Sequence, residues 1–234
     1  MLFTSLSQIQ ADPFRGIVTF ATFSFALVLA ITVHEFSHSL VATRLGDPTS
    51  KRLGRLSLNP RAHLDPFGSM MIIFAGFGWG KPVPVNPAYL RTGARSGMAM
   101  VSLAGPISNV ALASVVALLI KAGVVNSTFV GFSLFWGETE DILGYVIGAV
   151  VFWNLLLAAF NLIPIAPLDG FKVALGILPR DMANSFARLE RYGPGILMLL
   201  ILSSFVIPGP SILSLVIQPI LNLLSFVVLG RQLM

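Results

Sequence analysis

Thr32-Val33-His34-Glu35-Phe36-Ser37-His38-Ser39 sits in an apolar run with no charged residue between Arg15 and Glu35. On a helix, positions four apart share a face, so His34 and His38 can offer two imidazole nitrogens to one metal ion. Glu35, next to the first of them, is close enough to reach a metal-bound water without being a ligand. That is a hydrolytic zinc site in outline. A lone histidine on an apolar face is ordinarily a core residue. Here two of the chain's 3 histidines fall at helical spacing around an acid, in a membrane-length apolar segment where ionisable side chains are costly and mark function.

Working outward, the whole chain shares the character of that stretch. Its 234 residues are 55% hydrophobic and 11% charged, with mean hydropathy +0.85. This is too apolar for a soluble domain and predicts an all-α polytopic membrane protein. The formal charge of +5 does not point to nucleic acid, because the basic residues lie in short loops between apolar runs, as positive cytoplasmic loops do. The chain has no cysteine, which excludes disulfides, thiol catalysis and Cys-based zinc sites. A metal must then be held by His, Asp or Glu. The N-terminus lacks the basic start of a signal peptide, so the first apolar run is read as a retained span.

In chain order, residues 1–15 read as a short lead and residues 16–45 as one long helix, stopped by Gly46-Asp47-Pro48. If Arg44 marks the membrane rim, His38 lies about 9 Å and His34 about 15 Å below it. In the polar loop 47–66, the alternation of RLGRLSLNP suggests a short strand. The loop also carries His63, a possible third ligand for which a turn or surface role is the better reading. Residues 67–79 are apolar but too short to span, which fits a re-entrant hairpin or half-helix. GKPVPVNPAYLR (80–91) holds three prolines and reads as extended, either as an edge that pairs with substrate or as a rigid connector. Further spans follow at 97–121 and 141–162. The first is rich in small residues, with a kink expected at Gly105-Pro106 and Asn109 as interhelical glue. A loop at 122–140 with Glu138 and Glu140 separates them. Segments 193–207 and 211–229 close the chain as a helical hairpin around Pro208-Gly209-Pro210. The expected total is five to six transmembrane helices, with a re-entrant hairpin or short β segment.

The second informative stretch is Asn161-Leu162-Ile163-Pro164-Ile165-Ala166-Pro167-Leu168-Asp169-Gly170. Its prolines break a helix at membrane depth, where irregular backbone is tolerated only if buried in protein or lining a cavity. Asp-Gly alone suggests a turn, but beside a two-histidine site lacking a third ligand, Asp169 becomes the candidate ligand. If residues 67–79 turn back without crossing, 13 of the 15 basic residues share one side, which the positive-inside rule makes cytoplasmic. His38 and Asp169 then lie near the same face.

With both motifs in place, the sequence resembles the site-2 protease family of intramembrane zinc metalloproteases. His34-Glu35-Phe36-Ser37-His38 is similar to its zinc motif, and Asn161 through Leu168-Asp169-Gly170 to its second signature. SLNPRAHLDPFG, GKPVPVNP and AGPISN add lesser similarities across roughly residues 30–175; Ala166 stands where relatives often have proline. The resemblance implies one Zn2+ per chain on His34, His38 and Asp169, with Glu35 as general base and Asn161 holding the substrate or the oxyanion. It implies a single membrane-embedded metalloprotease domain over 1–234, with a core at 16–175 and a C-terminal hairpin at 193–230, and no room for PDZ or CBS modules. The implied activity is cleavage of transmembrane protein substrates within or next to the bilayer, near the cytoplasmic side, in regulated intramembrane proteolysis. The implied location is the cell membrane, multi-pass, of a prokaryote. Partners are then the lipid bilayer and membrane substrates, not nucleic acid. Two other classes compete. A divalent-metal transporter would need ligands along a path, which the outer halves of the spans lack. A scaffold that kept the motif would not need Glu35.

Overall fold

The computed structural model describes residues 12–75, 78–125, 142–206 and 211–232. The expected lead before residue 12, most of the 122–140 loop and the Pro208-Gly209-Pro210 break lie outside them.

The first helix, α1 (Pro13–Arg44), begins where the side chain of Asp12 accepts from the Arg15 amide at 3.1 Å and Pro13 pre-sets the first turn. Its 32 residues make about 48 Å of helix. It ends as expected at Gly46, whose φ of +108° is open to glycine because it has no Cβ. The strand expected over RLGRLSLNP is absent. Residues 49–52 form a helical turn, α2 (Thr49–Arg52), and Gly54 has φ +72°. Asn59 then accepts from the Arg61 amide to start a 3-10 turn, Pro60–Ala62. Local turn chemistry thus overrides a short alternation that has no neighbouring strand. Among the described residues the nearest thing to a sheet is one antiparallel bridge, Leu64 to Gly80.

Helix α3 (Pro66–Ala75) follows, started by Asp65, whose carboxylate accepts the Gly68 amide at 2.7 Å. Ten residues span about 15 Å, half a bilayer core. The chain then comes back on itself: Gly68 lies against the carbonyl of Trp79 so closely that no Cβ would fit. The extended stretch from Gly80 runs to a 3-10 turn, Pro87–Tyr89. Next come α4 (Ala94–Lys121), α5 (Ile142–Asn161), α6 (Asp169–Ile177), α7 (Arg180–Ala187), α8 (Gly193–Val206) and α9 (Ile212–Leu229).

Helix α4 is the hub, packed against α1, α5 and α6, while α1 also meets α5 and α9 covers α4 and α5. The shared core joins Phe23, Ala26 and Leu27 of α1, Ala113 and Ala117 of α4, Phe152 and Leu155 of α5, and Leu221 of α9. Its buried alanines let the helix backbones approach closely, which is how helices associate where lipid is as apolar as their side chains. Phe23 meets Trp153 edge-on at 4.9 Å between centroids, a favoured aromatic arrangement.

Four helices, α1, α4, α5 and α9, are long and apolar enough to cross a membrane. The chain is therefore an all-α multi-pass membrane protein. The described part of α8, at 14 residues, falls short of the ~20 that a span needs.

Candidate metal centre

His34 and His38 lie one turn apart on α1, both buried, with rings perpendicular and 4.5 Å between centroids. Their Nε2 atoms stand 3.0 Å and 3.1 Å from the same oxygen, Oδ2 of Asp169. One donor atom from each of the three lies within 4.8 Å of the others.

The outward nitrogens orient the two rings. His38 Nδ1 is 2.7 Å from the carbonyl of Val101, which can only accept, so that nitrogen carries the proton. His34 Nδ1 is 2.7 Å from Asn109 Oδ1. The Asn109 amide nitrogen donates to Ala30 O at 3.0 Å and to Asn154 Oδ1 at 2.9 Å, so its oxygen must face His34 and accept. Both rings thus turn the Nδ1 proton outward and aim Nε2 at the same carboxylate oxygen. With the proton on Nδ1, Nε2 is the nitrogen left to bind a metal ion, and two imidazoles with a carboxylate are a fitting donor set for zinc.

Each element has a local reason for its place. On α4, Gly105 lies under the two rings: a Cβ there would be 2.5 Å from His34 Cε1 and 2.6 Å from His38 Cε1. Pro106 follows inside the same helix. Asp169 opens α6 directly after the irregular Leu162–Leu168 stretch. Gly170 lets that helix start against the carbonyls of Leu162 and Ile163, where a side chain would collide. The far end of α6 is held by Arg95, whose guanidinium donates to the carbonyls of Leu175 and Leu178. A cation on the last carbonyls is the favoured charge at a helix C-terminus.

Glu35 is half-buried and faces the returning chain, where a Cβ on Gly80 would lie 3.6 Å from its Oε1. That chain is tied down at several points. Lys81 N donates to His63 O at 2.7 Å, and Asn86 N donates to Asp47 Oδ2 at 2.7 Å. Buried Arg55 donates to the carbonyls of Ala62, Lys81 and Pro82. Burial draws the Arg55 guanidinium below its ordinary pKa, and the Glu35 carboxylate pulls the other way. Burial pushes Asp47 up, but hydrogen bonds from the Thr49 hydroxyl, the Thr49 amide and the Asn86 amide outweigh it and hold the carboxyl below the usual range.

His63 does not join the cluster and is not on the surface: it is fully buried, with Nε2 donating to Ser57 O at 2.6 Å. Asn161 ends α5, and its amide donates to Leu157 O one turn back, at 3.0 Å. The interhelical role expected of Asn109 is present, but its contact with His34 is invisible in sequence, as are Asn154 behind it and the roles of Arg55 and Arg95. The available signal for the asparagines is that two buried amides in apolar helices need partners.

Comparison with known proteins points to the class of protein. The family described as Peptidase family M50 matches residues 22–202. The chain is 37% identical over 207 residues to "Putative zinc metalloprotease YwhC" of Bacillus subtilis (strain 168), covering 84% of each. It is 26% identical over 209 residues to "Putative zinc metalloprotease Rip2" of Mycolicibacterium smegmatis (strain ATCC 700084 / mc(2)155), covering 85% of this chain and 74% of that one. No solved structure matches. With the match running through both motifs and the helices that carry them, the chain belongs to peptidase family M50, the site-2 protease family of membrane metalloproteases.

Proposed function

We propose that His34, His38 and Asp169 hold one zinc ion and that the chain hydrolyses peptide bonds within or next to transmembrane segments, near the cytoplasmic side of the cell membrane. The observation that carries this reading is the pair of imidazoles held by Asn109 and Val101 so that both Nε2 atoms meet at one Asp169 oxygen. Zinc bound there supplies Lewis acidity, polarising a carbonyl and acidifying water towards a pKa of about 7.

The remaining chemistry belongs to the protein's own groups. Glu35 accepts the proton of the attacking water and returns it to the leaving amine. Asn161 holds the substrate backbone or the developing oxyanion. The buried helices keep the site enclosed, so water enters from the cytoplasmic end. A helical substrate must unwind locally, because an intact helix hides its peptide bonds, and small or helix-breaking residues ease this. The chain acts as one domain over 1–234, in regulated proteolysis of membrane proteins.

The test pairs zinc stoichiometry with cleavage of a transmembrane substrate in detergent, for the parent and for Glu35→Gln. The parent is expected to hold about one zinc per chain, and the variant to keep it while cleavage falls about 10²- to 10⁴-fold. Zinc without cleavage in both proteins would indicate a scaffold, and a parent without zinc removes the reading.

A further inference from the structure

Arg55 is 5% exposed, and among the described residues no carboxylate lies within ion-pair distance of it. A buried cation without an ion pair is costly unless backbone carbonyls replace its hydration. Here they do for the two terminal nitrogens: Ala62 O on one side, Lys81 O and Pro82 O on the other. One guanidinium therefore ties the 55–62 turn to the returning chain at the point where that chain passes Glu35. Two further ties support the same geometry, the Leu64 to Gly80 bridge and the Lys81 N to His63 O hydrogen bond of 2.7 Å. Gly80 leaves little slack there, since a Cβ on it would lie 3.1 Å from Ile31 Cγ2 and 3.2 Å from His63 O.

Resting on the proposed role of Glu35 as base, we infer that Arg55 is a positioning residue of the reaction: its clamp holds Gly80–Pro82 as a fixed strap beside Glu35, setting the wall against which the base and the scissile peptide are aligned. The planar fork of arginine is what the task needs, because its separate N–H groups reach carbonyls on two segments at once. A lysine ammonium is a point donor on a flexible stem and cannot hold all three.

Two readouts test this. The first is independent of catalysis. Val83→Cys, the sole cysteine in an otherwise cysteine-free chain, is labelled with a maleimide in the Arg55 and Arg55→Gln backgrounds. Release of the strap is expected to raise the labelling rate about fivefold or more, and an unchanged rate overturns the clamp. The second is steady-state cleavage by Arg55→Gln and Arg55→Lys, with zinc content as the check on folding. Both variants are expected to keep about one zinc per chain and a KM within about twofold, while kcat falls about tenfold or more. That loss corresponds to about 1.4 kcal/mol of transition-state stabilisation. Full kcat in Arg55→Lys would show that charge alone suffices, and a raised labelling rate with parental kcat would show a strap without a role; either overturns the inference. Should Arg55→Gln lose zinc and fail to fold, Gly80→Ala moves the strap with the clamp intact. Its kcat is expected to fall with zinc retained, and parental kcat in that variant overturns the inference too. If the parent itself does not cleave, the proposed function fails, while the labelling arm still decides whether the clamp exists.

Discussion

Asn109 does two jobs with one amide. Its nitrogen donates to Ala30 O and Asn154 Oδ1, and its oxygen accepts from His34 Nδ1, so the orientation of that ring is set from α4 rather than from the helix that bears the histidine. Replacing it with leucine leaves His34 Nδ1–H and Asn154 Oδ1 buried without this partner and frees the ring to change tautomer. Asn109→Leu is expected to weaken metal affinity about 10- to 100-fold, measured by competition with a chelator, while Glu35 stays in place. Unchanged affinity would show that His34 needs no external orientation. At this scale the sequence was legible wherever chemistry is local. His34, Glu35 and His38 are read from spacing alone, but the partners of their outer nitrogens are 75 and 63 positions away. No periodicity links an imidazole to an amide or carbonyl on another helix.

Helix α6 is short, 9 residues, yet it carries Asp169 at its first position and is gripped at its last turn by Arg95 of α4. Gly176 rests so tightly on Ala99 that a side chain would collide, and Phe171 stacks on Phe186 of α7 at 4.9 Å. The helix is therefore fixed along its length, and Asp169 inherits that fixity. Arg95→Gln removes the cation from the helix C-terminus and is expected to lower metal affinity about threefold to tenfold, read by the same competition titration. An unchanged value would show that the Gly170 end alone sets the carboxylate. The break before α6 was legible because its prolines cannot continue a helix. The grip of Arg95 was not, since a basic residue at the start of a span reads equally well as a topology signal. The strand expected near residue 55 failed for the opposite reason: a pattern was present, and turn residues outweighed it.

Across the whole molecule, Leu45 O accepts from Arg91 N at 2.9 Å. The segment between them therefore leaves and rejoins the helical bundle at one end, the end where α6 and the metal centre also sit. Leu58, Leu189 and Val124 are exposed, the first two at this end and the third at the other, beyond α4. Single cysteines at these positions are expected to divide accordingly. In intact cells, a membrane-impermeant maleimide should modify Leu58→Cys and Leu189→Cys only after permeabilisation, and Val124→Cys directly. Labelling of the first two on opposite sides would break the arrangement. The bundle was legible from hydropathy and loop charge, because lipid imposes its demands on every residue of a span. The number of crossings was less so, since an apolar segment near the length threshold reads the same whether it crosses or not. The 135 positions that separate His34 from Asp169 also set a timetable. Synthesis releases Glu35 and both imidazoles first, and Asp169 only after two more membrane helices have been made. On the function proposed above, a ribosome-bound chain is thus still inert as its first helices insert, and cutting power arrives only once Asp169 has been made.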